Sequence, residues 1–312
     1  MTSPRLAAPA VALLEGAGCT IHYMPPYPSA DAVAELTEAM QADAILTRQG
    51  PVNEAAMAAS PRLRIVARHG VGVDDVDLQA AAARGIIVAR APGSNSQAVA
   101  EHTLAVILAL AKDLLALSAS IADGAWRGGA TKVRDVAGLR LGLVGFGNTG
   151  QAVARLAPTF GMRVAVLGGT ADVSRFPGVS RAASLDALLA TSDVLSLHCP
   201  LTPETYHLID ATALARMPQG AYVINTARGG IVDEAALEAA IDAGHIAGAA
   251  LDVFETEPPP ADHPLRRHPR VIRTPHVSGV TDGALINMGV MAAECIVAAL
   301  TGGTVPPERV VR

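Results

Sequence analysis

A chain of 312 residues with a net charge of −5 and half of its residues hydrophobic excludes several classes of protein. Its Lys and Arg residues are scattered and form no basic stripe, so we expect no nucleic-acid partner. No apolar run reaches the ~18 residues of a membrane span and no secretory signal opens the chain, so we expect no membrane partner and a cytoplasmic location. The length fits two compact units.

The first third of the chain alternates between predicted helices and strands. Helices are predicted at 8–17, 32–40, 53–59 and 78–84, and strands at 20–23, 44–47, 63–67 and 86–88. Because so few residues precede the first helix, an N-terminal strand is either very short or absent. The loop at 68–74 contains two glycines and follows a strand, so its N–H groups either hold a carboxylate or form an ordinary turn.

The middle of the chain begins with an apolar helix predicted at 97–122, which either connects two domains or packs against a second subunit. A loop with the only tryptophan, Trp126, is predicted at 123–136. Strands then follow near 141–145, 163–167, 194–198, 222–225, 249–253 and 271–274, with helical patterns between them and a last helix at about 283–300. Strands that alternate with helices predict a doubly wound parallel sheet.

A G-x-G-x-x-G pattern joins the strand at 141–145 to helix-forming sequence that begins near Gln151. In a dinucleotide-binding turn, Gly145 allows the tight turn, Gly147 lets the main chain approach a pyrophosphate, and Gly150 lets the helix pack on the strand. The helix N-terminus then faces the anion with free N–H groups. The pattern in this context predicts a dinucleotide site.

Three chemically active side chains follow three successive predicted strands. Arg228, Glu257 and His276 come after the strands near 222–225, 249–253 and 271–274, at the edge where such sheets bind ligands. A histidine paired with a carboxylate is a general acid and base, and a guanidinium can bind a carboxylate in a planar fork. Taken singly, each also has an ordinary interpretation as a surface charge or a satisfied histidine.

With these motifs in order, the sequence resembles the D-isomer-specific 2-hydroxyacid dehydrogenases, a family that includes phosphoglycerate, glyoxylate/hydroxypyruvate and D-lactate dehydrogenases. The segments that carry the resemblance are 68–74, 95–101, 145–150, 198–202, 225–230, 252–258 and 274–276. The resemblance implies an α/β fold in which a Rossmann nucleotide domain, 95–276, is inserted into a smaller flavodoxin-like substrate domain, 1–94 plus 277–312.

The same resemblance implies hydride transfer between a nicotinamide cofactor and a small 2-oxo or 2-hydroxy acid, in a homodimer that needs no metal. In this scheme Arg228 binds the substrate, His276 donates the proton and Glu257 is its partner. Formate dehydrogenases of the superfamily carry Gln in place of Glu257, so the glutamate favours acid–base chemistry. The main alternative is an NAD(H)-sensing corepressor-like interaction protein of the same fold.

Binding residues are also implied by the family. The substrate carboxylate would be held by the backbone at Val71 and Gly72, Asn95 would lie at the domain junction, and Arg48 is either a ligand of a distal phosphate or carboxylate or a surface arginine. The implied cofactor-binding residues are Gly145, Phe146, Gly147, Asn148, Thr149, Gly150, Gly168, His198, Pro200, Thr205, Thr226, Ala227, Asp252 and His276.

Gly168 departs from the family pattern. An acidic residue normally stands there, binds the adenosine ribose hydroxyls and repels the extra phosphate of NADP. Its absence leaves the choice between NAD and NADP open. Thr170, Asp172 or Arg175 could fold over the ribose instead: Asp172 would reach back to the hydroxyls, whereas Arg175 would meet a 2′-phosphate.

Overall fold

A computed structural model describes residues 1–3, 5–126 and 132–311 of the chain. They form two compact units, Met1–Asn95 with Val280–Arg312, and Ser96–Gly279. The predicted junctions, after residues 94 and 276, lie slightly before the observed ones. Residues 127–131 of the predicted loop at 123–136 lie outside the described residues.

Strands and helices alternate along most of the chain. The strands are β1 (Thr2–Ser3), β2 (Ala44–Thr47), β3 (Ile65–Arg68), β4 (Ile87–Ala89), β5 (Arg140–Val144), β6 (Arg163–Leu167), β7 (Val179–Arg181), β8 (Val194–Leu197), β9 (Ala221–Asn225), β10 (Ile246–Leu251) and β11 (Val271–Arg273). The α-helices are α1 (Ala8–Gly16), α2 (Ala30–Met40), α3 (Glu54–Ala58), α4 (Leu78–Ala83), α5 (Ser96–Ala111), α6 (Leu114–Ala122), α7 (Asn148–Leu156), α8 (Leu185–Leu189), α9 (Ala211–Arg216), α10 (Glu234–Asp242) and α11 (Asp282–Thr301).

The first unit is built on a parallel sheet in the order β1-β2-β3-β4. The N-terminal strand is therefore present but very short. The strand predicted at 20–23 was wrong, because among the described residues that segment carries only an isolated bridge residue, Tyr23. A full flavodoxin-like order would need an extended strand there, next to β1.

The second unit contains a parallel sheet in the order β7-β6-β5-β8-β9-β10-β11. The order reverses between β5 and β8, and this switch point is where open α/β sheets bind ligands. Its central strands are buried on both faces, since Leu141, Leu143, Leu195 and Leu197 are completely inaccessible to solvent. The parallel Rossmann sheet predicted from the sequence is confirmed.

Most helices begin where the sequence supplies an oxygen to cap them. At seven N-caps, a side-chain oxygen accepts a hydrogen bond from the backbone N–H three residues later, and these caps are Ser29, Asn53, Asp77, Ser184, Asp210, Asp233 and Thr281. Such caps satisfy N–H groups that have no partner within the helix.

The prediction of a single long helix at 97–122 was wrong in one respect. It is two helices, α5 and α6, bent by 59° where Asp113 adopts a left-handed conformation with φ +50°. The buried residues of α5 pack against β9, β10 and α7, whereas α6 contains no buried residue.

The last helix, α11, is long and apolar enough to pass a length-and-composition test for a membrane span, and α5 with α6 would pass as a bent pair. This corrects the expectation that no stretch reaches that length. Within the first unit, Ala292, Cys295 and Ile296 of α11 lie in one buried cluster with residues of α1 and β3. The apolar residues of α11 therefore form part of the core of this unit.

Candidate active site

The strands β9, β10 and β11 are neighbours, and their last residues are in register. Leu251 of β10 is paired with Asn225 of β9 on one side and with Arg273 of β11 on the other. The segments that follow these strands therefore leave the sheet at the same edge. They carry Arg228, Glu257 and His276 respectively.

His276 and Glu257 form a hydrogen-bonded pair at this edge. The imidazole Nδ1 lies 2.8 Å from Oε2 of Glu257, and both side chains are partly exposed, by 49% and 37%. The backbone of His276 has φ +52°, an uncommon conformation for a residue other than glycine, and its N–H donates to the carbonyl of Asp252. With Nδ1 bonded to the carboxylate, Nε2 is the ring atom that can exchange a proton with a ligand.

Arg228 is presented by a loop that Asn225 holds. The buried amide of Asn225 donates from Nδ2 to the carbonyl of Arg228 at 2.8 Å and accepts the N–H of Ala227 at 3.1 Å. The half-buried guanidinium donates to the carbonyl of Ala227 at 2.7 Å. The backbone position of Arg228 is thus fixed independently of its side chain.

The other nearby carboxylate, Glu255, has different partners. It accepts hydrogen bonds from the hydroxyl of Tyr206 at 2.7 Å and from the ring of His207, which stacks on Tyr206. The Tyr206 hydroxyl, followed by His207, lowers the pKa of Glu255, and the carboxylate raises the pKa of Tyr206. Glu257, and not Glu255, is therefore the partner of His276. Nothing in the motif pattern had pointed to Tyr206 or His207.

Asp252 orders the segment that carries His276. Its buried carboxylate accepts the hydroxyl of Thr274 and the N–H groups of Val277 and Ser278, each of these two at 2.9 Å. The hydroxyl of Thr274 also lies 3.3 Å from Nε2 of His102. Both oxygens of Asp252, which the sequence predicts as a cofactor ligand, accept hydrogen bonds from protein donors. In the structure Asp252 thus holds the segment 274–278 in position.

Replacing Glu257 by Gln should shift the pH dependence of catalysis. A neutral amide stabilises an imidazolium less than a carboxylate does, so His276 should lose its proton at lower pH. For reduction of a 2-oxo acid, which needs protonated His276, the limb where kcat falls with rising pH should move by about one unit toward acid. Kinetics over a range of pH that spans this limb measure the shift, and an unchanged limb would contradict the pairing.

The G-x-G-x-x-G turn has the shape that a phosphate needs. Gly145 has φ +100°, and a Cβ there would lie 2.5 Å from the carbonyl oxygen of His198, while a Cβ on Gly150 would overlap the carbonyl of Gly145. A Cβ on Gly147 would meet nothing within 4 Å, so the open side of the turn is at this residue. The helix α7 starts directly after Gly147 with no side-chain cap. These features fit a dinucleotide pyrophosphate.

The other predicted cofactor residues differ in what they can offer. Phe146 is buried, so only its backbone can reach a ligand. The hydroxyl of Thr205 donates to the carbonyl of Pro200 and accepts the N–H of Thr202, which commits it to a local turn. Burial lowers the pKa of His198 to about 4, and its Nε2 lies 2.9 Å from Oγ of Ser196, so this ring is neutral at physiological pH.

Four more of these residues lie in segments at the ligand-binding edge. Asn148 and Thr149 open α7, and Thr226 and Ala227 follow β9. The hydroxyl of Thr226 lies 3.4 Å from that of Thr103 on α5.

The turn after β6 carries the residues among which the sequence leaves the ribose contact open. Gly168 has φ +78°, and a Cβ there would enter open space. The carboxylate of Asp172 is bonded at both oxygens to Ser174, through the N–H at 2.9 Å and the hydroxyl at 2.8 Å. Ser174, ahead of Arg175 and Arg181, lowers the pKa of Asp172. Each side-chain oxygen of Asp172 thus has a hydrogen-bond donor within its own turn.

Arg181, which the sequence patterns did not reveal, closes the same turn. From the last position of β7 its guanidinium donates to the carbonyls of Gly168 at 2.8 Å, Gly169 at 3.1 Å and Ala171 at 2.8 Å. Its positive charge therefore lies against the backbone of the turn that contains Gly168.

In the first unit, the loop after β3 has free donors. Within the described part of the chain, no backbone carbonyl accepts a hydrogen bond from the N–H of Val71 or Gly72. Arg48 lines a cavity of about 420 Å³ together with Arg5 and His69. Burial lowers the pKa of Arg48, and burial followed by the charge of Arg48 lowers the pKa of His69 to about 4.

Three further observations concern Asn95, metal ligands and the cysteines. Asn95 is half-buried and is the last residue of the first segment of unit one. Across residues 1–3, 5–126 and 132–311, no group of three or more His, Cys, Asp or Glu side chains could hold a metal ion. The three cysteines are free, and Cys295 is buried.

A doubly wound parallel sheet with a glycine turn at its switch point defines a dinucleotide-binding α/β protein, and the His276–Glu257 pair adds an acid–base group at the same edge. Residues 104–278 match the family model described as D-isomer specific 2-hydroxyacid dehydrogenase, NAD binding domain. The chain belongs to the D-isomer specific 2-hydroxyacid dehydrogenases. The resemblance seen in the sequence motifs is thereby confirmed.

Relatives with known names agree with this membership. The chain is 43% identical to D-3-phosphoglycerate dehydrogenase of Mycobacterium tuberculosis over 85% of its own length and 51% of the relative. It is 39% identical to glyoxylate reductase of Korarchaeum cryptofilum, over 83% and 80% of the two chains. A solved structure, the TT0316 protein from Thermus thermophilus, superposes with a TM-score of 0.89 at 36% identity and covers 100% of this chain and 99% of that one. The chain spans about half the length of the phosphoglycerate dehydrogenases that it matches.

Proposed function

We propose that the protein is an NAD(P)-dependent oxidoreductase that interconverts a small 2-oxo acid and the D-isomer of the 2-hydroxy acid. The observation that carries this proposal is the 2.8 Å hydrogen bond between Nδ1 of His276 and Glu257 at the carboxyl edge of a dinucleotide-type sheet. Family membership and the names of the relatives support it.

The chemistry follows from these side chains. A bound nicotinamide cofactor supplies the hydride in reduction and accepts it in oxidation. As the carbonyl carbon gains hydride, the carbonyl oxygen becomes an alkoxide and takes the proton from Nε2 of His276. Glu257 stabilises the imidazolium beforehand through Nδ1, and Arg228 binds the substrate carboxylate and polarises the carbonyl oxygen.

The residues that would hold the cofactor lie mainly in the glycine turn. Backbone N–H groups of Gly147 to Thr149 at the start of α7 would bind the pyrophosphate, and the segments after β8 and β9 would line the rest of the dinucleotide. In the first unit, the N–H groups of Val71 and Gly72 would hold a carboxylate. The cavity lined by Arg48, Arg5, His69 and Asp282 would accept a second anionic group, because it has two guanidinium groups and one carboxylate.

A substrate panel tests the proposed activity. Oxidation of NADH and NADPH is followed with pyruvate, glyoxylate, hydroxypyruvate and 2-oxo acids that carry a distal phosphate or carboxylate. We expect turnover, with a preference for the distal anion because of Arg48. Tight NADH binding without turnover of any 2-oxo acid in the panel would overturn the proposed enzymatic activity and favour the corepressor-like alternative.

For the cofactor itself we propose that both NADH and NADPH are used. Position 168 carries no carboxylate to repel a 2′-phosphate, and the nearby Asp172 is bonded to Ser174. The charge of Arg181 at this turn favours an added phosphate. Because the ribose hydroxyls also lack a carboxylate partner at this position, discrimination should be modest.

Gly168→Asp should shift the preference toward NADH. The new carboxylate can accept from both ribose hydroxyls and repels a 2′-phosphate, so the kcat/KM ratio of NADH to NADPH should rise by about tenfold or more. Asp tolerates the left-handed backbone better than most residues, so the cost in stability should be small. Steady-state kinetics with each cofactor measure the ratio.

Gly220→Asp is the matched control for this change. Gly220 also has a left-handed backbone, with φ +80°, and open space at its Cβ, but it precedes β9 and so lies at the opposite end of the strands. Its substitution should leave the cofactor ratio unchanged. A wild-type protein that already rejects NADPH by about a thousandfold would show that another group excludes the phosphate.

We also propose a homodimer, supported by the exposed apolar surface of α6. Leu114, Leu115 and Ile121 are 52%, 59% and 53% exposed, and Trp126 just beyond the helix is 84% exposed. An apolar helix without a buried residue is typical of a surface that a second subunit covers. Sedimentation equilibrium tests this, and a monomer at all concentrations would overturn it.

A further inference from the structure

A second histidine–carboxylate pair lies in the same unit as the His276–Glu257 pair. Oε2 of Glu234, the first residue of α10, is 2.8 Å from Nε2 of His263. Both side chains are largely buried, with 12% and 18% of their surfaces exposed. Burying two polar side chains costs desolvation free energy unless both are well hydrogen-bonded. The contacts of this pair therefore indicate its role.

The pair contacts the segment that leads to Glu257. The other oxygen of Glu234, Oε1, accepts the backbone N–H of Glu255 at 2.9 Å. The ring of His263 packs edge-on against Phe254, with the centroids 5.7 Å apart. The N–H of Phe254 in turn donates to Oε1 of Glu257 at 3.1 Å. A continuous set of contacts therefore runs from Glu234 and His263 to the carboxylate that holds His276.

The same segment is also packed against the loop of Arg228. A Cβ on Gly229 would overlap the backbone of Phe254 and Glu255, so the backbones of these two segments are in direct contact. A shift of residues 254 and 255 would displace Glu257 through one hydrogen bond and Gly229 through van der Waals contact. The position of residues 254 and 255 therefore affects both the carboxylate of Glu257 and the loop that carries Arg228.

The contacts of the His263 ring favour a proton on Nε2 over one on Nδ1. Among the described residues, its buried Nδ1 has no hydrogen-bond partner, so a proton there would be left without an acceptor. Nε2 is then the protonated nitrogen and donates to Glu234. An amide side chain at position 263 can supply the same kind of N–H donor to Glu234.

We propose that Glu234 and His263 are positioning residues that hold residues 254–257 so that Glu257 stays bonded to His276. The proposal rests on the acid–base role of His276 in the proposed function. Other ionisable groups around this segment are Glu255, bonded to Tyr206 and His207, and Asp233, which caps α10. Tyr206 and His207 hold residue 255 through its side chain, and Asp233 is bonded to the N–H of Ala236. Glu234 is the group that holds the backbone N–H of residue 255.

Glu234→Gln tests the proposal with little change in volume. The amide must turn its NH₂ group either toward the Nε2–H of His263 or toward the N–H of Glu255, so one of the two contacts is lost. We expect the midpoint of the His276 imidazole titration, followed by NMR in the protein without substrate, to move toward acid by about half a pH unit or more. We also expect kcat to fall by about tenfold while KM and NADH affinity change less than about twofold.

Asp242→Asn is the matched control. Asp242 ends the same helix α10 and is also bonded to a histidine Nε2, that of His268 at 3.1 Å, a histidine outside the 254–257 segment. Its substitution should leave the titration midpoint and kcat unchanged. His263→Gln, which keeps a donor for Glu234, should retain the midpoint, and His263→Ala should lower it.

An unchanged His276 midpoint in both Glu234→Gln and His263→Ala would overturn the proposal, even if their melting temperatures fell. The midpoint is measured without turnover, so a failure to find any 2-oxo acid substrate would overturn the proposed function and leave this test intact. If His263→Ala does not fold, Glu234→Gln with its control decides the question alone.

Discussion

His276→Ala is expected to lower kcat for 2-oxo acid reduction by ~10²–10⁴-fold, the usual contribution of a general acid. The substitution removes Nε2, the ring atom that faces away from Glu257, and with it the proton for the developing alkoxide. NADH affinity should stay near that of the wild type, because the glycine turn and α7 are untouched. Stopped-flow measurement of the hydride step, with fluorescence titration of NADH, separates the two effects.

His207→Ala is the matched control for this loss. His207 also has a left-handed backbone, with φ +49°, and also pairs with a glutamate, Glu255, at 3.4 Å. Removing it takes away the same ring from a comparable backbone position, and we expect at most a few-fold loss of kcat. Full activity in His276→Ala would end its assignment as the proton donor.

The parts of the fold that could be predicted from the sequence are those with a strong local signal. The strand, glycine turn and helix at 141–156 follow from buried leucines and from glycines that steric contacts require. The prediction that His276 and Glu257 share one edge of the sheet has a related basis. Both follow neighbouring parallel strands, and parallel strands bring their carboxyl ends to one edge.

The errors occurred where the deciding contacts are not local. The break between α5 and α6 uses Asp113 in a left-handed conformation, without the Gly or Pro that usually marks such a break. The strand β7 is short, and its last two residues are exposed, so no hydrophobic pattern reveals it. Because β7 was missed, Arg181 was missed as well.

The side-chain contacts of the site could not be predicted from the sequence either. The sequence leaves open whether Asp172 reaches toward the ribose, whereas in the structure each of its oxygens is bonded to Ser174, two residues along the chain. Glu234 and His263 are 29 residues apart, and only tertiary packing joins them to the segment before Glu257. Composition and spacing indicate the residues that react, but they do not show what holds them.

Arg228→Lys is expected to raise KM and lower kcat together, with a loss of about 10–100-fold in kcat/KM. Lysine keeps the positive charge but loses the planar fork that can bind a carboxylate and a carbonyl oxygen at once. A hydrogen bond to a charged group contributes roughly 1.5–3 kcal/mol, and one such loss accounts for this range. The loop should keep its place, because Asn225 bonds the backbone at residues 227 and 228 and not the side chain.

Arg216→Lys provides the comparison for this change. Arg216 makes an exposed salt bridge with Asp186 at 3.1 Å, and its substitution should leave kcat and KM unaltered. The decisive pattern is a loss in Arg228→Lys that is larger for full 2-oxo acids than for analogues without the carboxylate, since only the former engage both prongs of the guanidinium. Equal kinetics of wild type and Arg228→Lys on every 2-oxo acid would remove Arg228 from the site.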